Sequence, residues 1–139
     1  MRYWLIKTEP EEWSWNQQVK SGNRGIEWSG VRNFQASKNL KNMKIGDECF
    51  FYHTGKEKQI VGIVEVIKEH YPDPTDKSKR FVAVDIITKL TLPNPVTLEQ
   101  IKKEKMLSNL LLIKQSRLSV MPIDKKSWHI ICKMGGVVI

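Results

Sequence analysis

The chain of 139 residues contains little of what marks a secreted, membrane-spanning or zinc-binding protein. Its two cysteines, Cys49 and Cys132, lie far apart within apolar stretches, so the sequence offers no CxxC pair and no usual spacing of zinc ligands. No apolar run approaches the roughly 20 residues of a membrane span, and the first residues reach a charge too early for a signal-peptide core. We expect reduced, buried thiols, no metal, no membrane contact and an intracellular protein, cytoplasmic or, in a eukaryote, nuclear.

Signals for catalysis are also scarce. Three histidines, His53, His70 and His129, are present without any motif of a nucleophile, a metalloprotease or a phosphate-binding loop. No acidic pair suggests itself as a general acid and base or as a magnesium site, since Glu11 and Glu12 are adjacent and point apart on a helix. Composition and motifs therefore give hydrolase chemistry weak support.

Positive charge is plentiful by contrast. The formal net charge is +8, and the segment 96–139 carries eight Lys and Arg residues against three acidic ones, which is five of that excess. Basic residues on helices are often only a solvated face, so charge alone gives a phosphate-binding surface a modest advantage. We expect an anionic partner and a binding affinity that falls steeply with salt.

Alternation and turn residues predict most of the secondary structure. Strands are expected at Tyr3–Lys7, Glu48–His53, Gln59–Ile67, Phe81–Leu90 and Leu118–Met121. Helices are expected from a Thr8 cap through Glu12–Val19, at Phe34–Asn42, after the capping box Thr97–Gln100 and after an Asp124 cap. The prolines predict that Tyr71–Ser78 is a loop, that Leu92–Val96 closes a strand and that Pro122 ends one. Residues 106–113 fit either a helix or an extended entry to the next loop.

This order of elements predicts a single domain over residues 1–139. A hairpin from Glu48–His53 to Gln59–Ile67 lies at the centre, and strands are interrupted by helices without the regular alternation of a doubly wound sheet. The fold class is therefore α+β, with a mixed barrel surrounded by helices as the better interpretation. The pattern alone leaves a sheet-plus-helices sandwich equally open.

The most informative stretch is Trp28–Ala36, with sequence WSGVRNFQA. It places a large flat ring, a flexible glycine and an amide side chain at a junction between a loop and a helix, where backbone N–H groups are free. Such a combination suits a flat, hydrogen-bonding ligand. An arbitrary Trp-containing loop more often buries its ring in the core, and that alternative applies to Trp28 too.

Three motifs in order, Trp4–Pro10, Trp28–Ala36 and Gln115–Val120, resemble the EVE domain, a member of the PUA-like superfamily. The resemblance spans nearly the whole chain and implies a PUA-like pseudo-barrel. It also implies a non-catalytic reader of a modified, flipped-out base in DNA or RNA. We expect the protein to work as a monomer without a cofactor. The segment Tyr52–Thr54 resembles the family's strand end at the pocket, which singles out His53.

The resemblance assigns roles to individual residues. Trp28, as a partly buried wall, would stack on the base, Asn33 and Ser116 would read its edge, and Arg117 with Lys7 would hold phosphate or base oxygens. The remaining ligand-binding candidates are Thr8, Glu9, Pro10, Gly30, Val31, Arg32, His53 and Thr54. The alternative hypothesis is an enzyme acting on a modified nucleotide or small amide in the same pocket, with His53 or Glu9 as acid or base.

Overall fold

The computed structural model describes residues 1–138, which form six strands and five α-helices. The strands are β1 (Tyr3–Thr8), β2 (Ile26–Trp28), β3 (Glu48–His53), β4 (Gln59–Pro72), β5 (Val82–Thr97) and β6 (Val120–Ile123). The helices are α1 (Trp15–Lys20), α2 (Phe34–Asn42), α3 (Leu98–Lys103), α4 (Leu111–Lys114) and α5 (Lys125–Met134). The stretch 106–113, left open by the sequence, is a 3-10 helix, Lys105–Leu107, followed by α4.

The strands make one mixed sheet in the order β2-β5-β4-β3-β1-β6, which confirms the α+β class. β3 and β4 form the predicted central hairpin, with Phe50 opposite Ile63. β1 runs parallel to β3 and antiparallel to β6, so the first strand lies between the middle and the end of the chain. This arrangement brings the end of β1, the end of β3 and the segment before β6 to one place.

Local capping signals predicted the ends of several helices correctly. α2 has the predicted bounds, and both its Leu40 and the Met43 that follows it are fully buried. α3 begins at the predicted capping box, in which Thr97 and Gln100 exchange hydrogen bonds with each other's backbone N–H groups. α5 follows its Asp124 cap and ends at Gly135. These signals succeed because all the groups involved lie within a few residues of each other.

The predicted start of the first helix was wrong. Thr8 is the last residue of β1, and α1 begins only at Trp15, after a Ser14 cap whose hydroxyl accepts the N–H of Gln17. The intervening segment turns at Pro10, with the N–H groups of Glu12 and Trp13 both donating to the Glu9 carbonyl. Pairing of β1 with β3 and β6 outweighs the local preference of Thr8 for a cap.

Prolines do not end the strands where the sequence predicted. β4 continues to Pro72, β5 continues through Pro93 and Pro95, and β6 contains Pro122. β6 lies at the edge of the sheet, where a proline is tolerated, and its Pro122 is exposed. The β4–β5 pairing contains several register shifts, which accommodate residues that a regular ladder would not.

Two tryptophans two positions apart in the first helical region lie in different environments, as their spacing predicted. Trp15 is buried and its ring packs on β4 at Gly62, where a Cβ would lie 2.2 Å from the indole. Trp13 is only partly buried. Both cysteines are buried free thiols, as predicted. No helix within residues 1–138 is long and apolar enough to cross a membrane.

Candidate nucleic-acid binding cavity

A cavity of about 900 Å³ opens where β1, the β2–α2 connection and the segment before β6 meet. This volume is within the range of small-molecule sites. Its lining consists of Lys7, Thr8, Glu9, Glu12, Trp13, Arg24, Ile26, Glu27, Trp28, Ser29, Gly30, Val31, Arg32, Asn33, Thr54, Ser116, Arg117 and Ser119. The three motifs that are separate in the sequence thus contribute to one wall.

All the candidate residues predicted from the sequence line this cavity except Pro10 and His53. Pro10 lies in the turn after β1 and shapes the path of the chain towards Trp13. His53 is buried, and both of its ring nitrogens have protein partners: Nε2 accepts the backbone N–H of Trp15 at 3.0 Å, and Nδ1 lies 2.9 Å from the Glu57 carboxylate.

These contacts correct the predicted role of His53. Because Nε2 accepts a hydrogen bond, the ring proton is on Nδ1 and is donated to Glu57. This hydrogen bond from His53 is the main reason that the pKa of Glu57 is lowered. The ring supports the start of α1 and is not part of the cavity wall, so Thr54 is the residue of this strand end that reaches the cavity.

Trp28 lines the cavity but is more deeply placed than expected. Its side chain is 8% exposed, and its ring packs edge-on against Phe51 with centroids 5.6 Å apart. The prediction of a partly buried wall was wrong, because β2 pairs Trp28 with Val84 of β5 and draws the ring into the core. Trp28 therefore combines the two alternatives raised by the sequence, a core residue and a cavity residue.

The Gly30–Arg32 segment is held by Asp73, a residue of the loop predicted at Tyr71–Ser78. Asp73 is 2% exposed and accepts hydrogen bonds from the Gly30 N–H at 2.7 Å and from Arg32 Nη1 at 3.0 Å. Thr75 contributes its own N–H and hydroxyl to the other carboxylate oxygen of Asp73. Burial opposes the charged carboxylate, but these hydrogen bonds outweigh it and leave the pKa of Asp73 lowered. Asp73 thereby fixes the Gly30–Arg32 segment of the cavity wall.

Gly30 and Asn33 explain why this segment has its sequence. Gly30 has a φ of +85°, a left-handed conformation that disfavours residues with a side chain. Asn33 caps α2, since its Oδ1 accepts the Ala36 N–H at 2.9 Å. That bond engages the amide oxygen, and Asn33 also lines the cavity, where its side-chain NH₂ group is an additional hydrogen-bond donor.

Lys7 is a half-buried cation in the same wall. Its Nζ donates to the Ser116 carbonyl at 2.8 Å and lies 5.6 Å from the centre of the Tyr52 ring. Burial lowers the pKa of the Lys7 ammonium group. The contact also ties β1 to the segment before β6, which brings Ser116 and Arg117 to the cavity.

Trp13 is the functional candidate that the sequence did not identify. It lines the cavity, and its indole N–H donates to Gln18 Oε1 at 2.8 Å. Gln18 is fully buried, and among the described residues its Nε2 has no partner. The spacing of Trp13 and Trp15 indicated that one ring is partly exposed, but only the turn at Pro10 shows where that ring lies.

The cavity wall is mixed in charge. Lys7, Arg24, Arg32 and Arg117 line it together with Glu9, Glu12 and Glu27. Of the basic residues of the last third of the chain, Arg117 alone belongs to this lining, so the charge excess there is not concentrated at the cavity. Within residues 1–138, no group of three or more His, Cys, Asp or Glu side chains is placed to hold a metal ion.

Comparison with known proteins defines the class of this molecule. The EVE domain family model matches residues 2–134, and the chain belongs to this family, with the PUA-like fold. A protein of Rhodopseudomonas palustris solved by NMR is 50% identical, with a TM-score of 0.93 over 98% of this chain and 94% of that one.

Two further relatives carry names that bear on function. Thymocyte nuclear protein 1 of Gallus gallus is 32% identical over 95% of this chain and 68% of its own length. The human THYN1 protein, solved in complex with DNA containing 5-methylcytosine, is 26% identical, and the match covers 100% of both chains with a TM-score of 0.88.

Proposed function

We propose that this protein is a non-catalytic reader of a modified base in DNA or RNA, which it takes into the cavity as a flipped-out nucleotide. The observation that carries the proposal is the coincidence of all three motif segments in one cavity that contains two indole rings. The human relative in complex with DNA containing 5-methylcytosine supports the same kind of ligand.

The cavity offers what recognition of a flat base requires. Trp28 and Trp13 provide aromatic surface, on which stacking of a base contributes about 1–3 kcal/mol. The Asn33 NH₂ group and the Ser116 hydroxyl can bond the edge of the base. Because Asp73 fixes Gly30 and Arg32 in advance, little ordering of this wall is needed on binding.

Cations at the cavity provide the contacts to phosphate. Arg117 and Arg24 line the cavity, and Lys7 is positioned by its bond to the Ser116 carbonyl. Phosphate contacts of this kind set the orientation of the strand, while contacts to the base set the specificity. The acidic residues of the wall, Glu9, Glu12 and Glu27, would accept bonds from base amino groups.

The proposal is tested by binding titrations with short DNA and RNA oligonucleotides that differ in a single central base, methylated or unmethylated. We expect at least one modified oligonucleotide to bind roughly tenfold or more tightly than its unmodified twin, a difference of about 1.4 kcal/mol. Mass spectrometry of the recovered oligonucleotides should show every base intact. Turnover of any substrate would instead support the enzyme alternative, and equal binding of all pairs would contradict base reading.

A further inference from the structure

An exposed aromatic residue lies beside the cavity. Phe34, the first residue of α2, is 64% exposed, although phenylalanine is normally buried. One side of its ring stacks on Phe81, with centroids 4.9 Å apart and planes at 30°. Phe81 itself is 5% exposed, so it serves as a buried support that holds the Phe34 ring.

Two arginines surround this pair of rings. The Arg32 guanidinium lies 5.5 Å from the centre of Phe81, and the Arg80 guanidinium lies 5.9 Å from the centres of both rings. Arg80 is exposed, and Asp76 holds its segment by accepting the N–H groups of Arg80 and Phe81. We call this group the Phe34 platform; it consists of Phe34, Phe81, Arg32 and Arg80.

The platform is continuous with the cavity. Arg32 belongs to both, and Asn33, the residue immediately before Phe34, lines the cavity. If a strand places one base in the cavity beside Asn33, an adjacent nucleotide would lie near Phe34, the next residue of the chain. The exposed ring supplies an aromatic face, and the exposed Arg80 supplies the charge that a phosphate requires, whereas the charge of Arg32 is paired with Asp73.

We propose that the Phe34 platform stacks the base adjacent to the one held in the cavity, with Arg80 contacting the phosphate of that nucleotide. This inference rests on the proposed function and adds a second, sequence-tolerant subsite to it. A nucleic acid fits the platform better than a protein partner does, because one exposed ring between two arginines is far smaller than the roughly 800 Å² that each partner of a stable protein interface buries.

The test compares Phe34→Ala with the parent on DNA carrying a single central 5-methylcytosine. Ile45→Ala is the matched control, because Ile45 is also 64% exposed and lines a different depression near the N-terminus. We expect Phe34→Ala to weaken binding about 5- to 100-fold, the loss of one base–aromatic stack, and Ile45→Ala to leave it unchanged. Phe34→Trp should retain the affinity, since it keeps an aromatic face.

A second set of oligonucleotides, in which one neighbour of the 5-methylcytosine is replaced by an abasic site, locates the contact. The parent should lose affinity when the stacked neighbour is removed, and Phe34→Ala should then bind no more weakly than the parent. Equal binding of the parent and Phe34→Ala to the intact oligonucleotide would overturn the platform and leave the reader intact. The platform would also be overturned if Phe34→Ala still weakened binding by the full factor when either neighbour of the 5-methylcytosine, on the 5′ or the 3′ side, is abasic.

Two other outcomes are separable. If the parent binds 5-methylcytosine DNA and unmethylated DNA equally but Phe34→Ala still weakens both, the platform stands and modified-base reading fails for this base. If sedimentation shows concentration-dependent self-association of the parent that Phe34→Ala abolishes, the ring is a contact between copies of the chain and the inference is wrong. A thermal melt of each variant confirms that the comparison is made between folded proteins.

Discussion

The carboxylate of Asp73 accepts the backbone N–H of Gly30 at 2.7 Å, across 43 positions of sequence. The same oxygen pairs with Arg32, so one buried acid fixes two residues of the cavity wall. The geometry of the cavity is thus set from the far side by the connection between β4 and β5.

Asp73→Asn should destabilise the protein at neutral pH by about 1.5–3 kcal/mol, because hydrogen bonds to a charged carboxylate are replaced by weaker bonds to a neutral amide. The new NH₂ group of the asparagine is itself a donor and would face the donors that Asp73 now accepts from. The pKa of Asp73 is lowered in the folded state, so its contribution is complete above the ordinary value of 3.8 and is lost as the pH falls through the folded-state pKa. Urea unfolding of both proteins from pH 7 downwards should therefore show their stability difference shrinking below that value. A constant difference would mean that the charge of Asp73 is unimportant.

Trp28→Ala should lower both stability and binding. Loss of a large buried aromatic ring is worth about 3–5 kcal/mol of stability, and the packing against Phe51 would be lost with it. Trp28→Phe should retain part of the stability and part of the affinity, since it keeps a smaller ring in the same place. Calorimetry beside a titration well below the melting temperature checks this, and normal binding by folded Trp28→Ala would remove the residue from the site.

His53→Ala should reduce stability without a direct effect on ligand preference. The substitution leaves the Trp15 N–H without its buried acceptor, which costs about 1–3 kcal/mol, and it also removes the partner of Glu57. The measurement is the affinity of the parent and of the variant for a set of modified oligonucleotides, made at a temperature where both proteins are folded. The order of affinities is then compared between the two proteins. A changed ranking would show that His53 contributes to ligand recognition after all.

Arg117→Gln should weaken binding of all oligonucleotides alike and reduce the slope of log K against log salt by about 0.7–0.9, the effect of one lost phosphate contact. Lys126→Gln is the control, since Lys126 is an exposed residue of α5 outside the cavity lining. Equal slopes for the two variants would show that Arg117 makes no phosphate contact. A flat dependence for the parent would favour a small ligand instead of a nucleic acid.

The sequence predicted those features that depend on neighbouring residues. The Asp124 cap, the Thr97–Gln100 box and the β3–β4 hairpin are all short-range, and all are confirmed. The cavity residues were predicted because three motifs resemble a known family, and a motif carries long-range information that periodicity does not contain. Trp28 itself could not be placed by periodicity, since its burial depends on pairing with β5.

The features that the sequence did not predict depend on distant pairing. The local sequence around Thr8 is typical of a helix cap, but the pairing of β1 with β3 and β6 makes Thr8 the last residue of a strand. The local sequence around Asp73 indicates only a loop, and the contact with Gly30 arises because β4 and β5 bring that loop beside the β2–α2 connection. Trp13 enters the cavity because a turn at Pro10 redirects the chain, and no pattern of apolar residues specifies that direction.

The position of β1 between β3 and β6 has a consequence for the order of assembly. The backbone N–H of Lys7 donates to the Ser119 carbonyl, and its ammonium group donates to the Ser116 carbonyl. Because 109 positions separate Lys7 from Ser116, β1 acquires this neighbour only after all the residues between them have been made. Such distant pairings slow folding, because the long loop must close before they contribute. The cavity wall is therefore complete only after residues 116–119 have joined β1, so a ligand that needs this wall binds the folded domain.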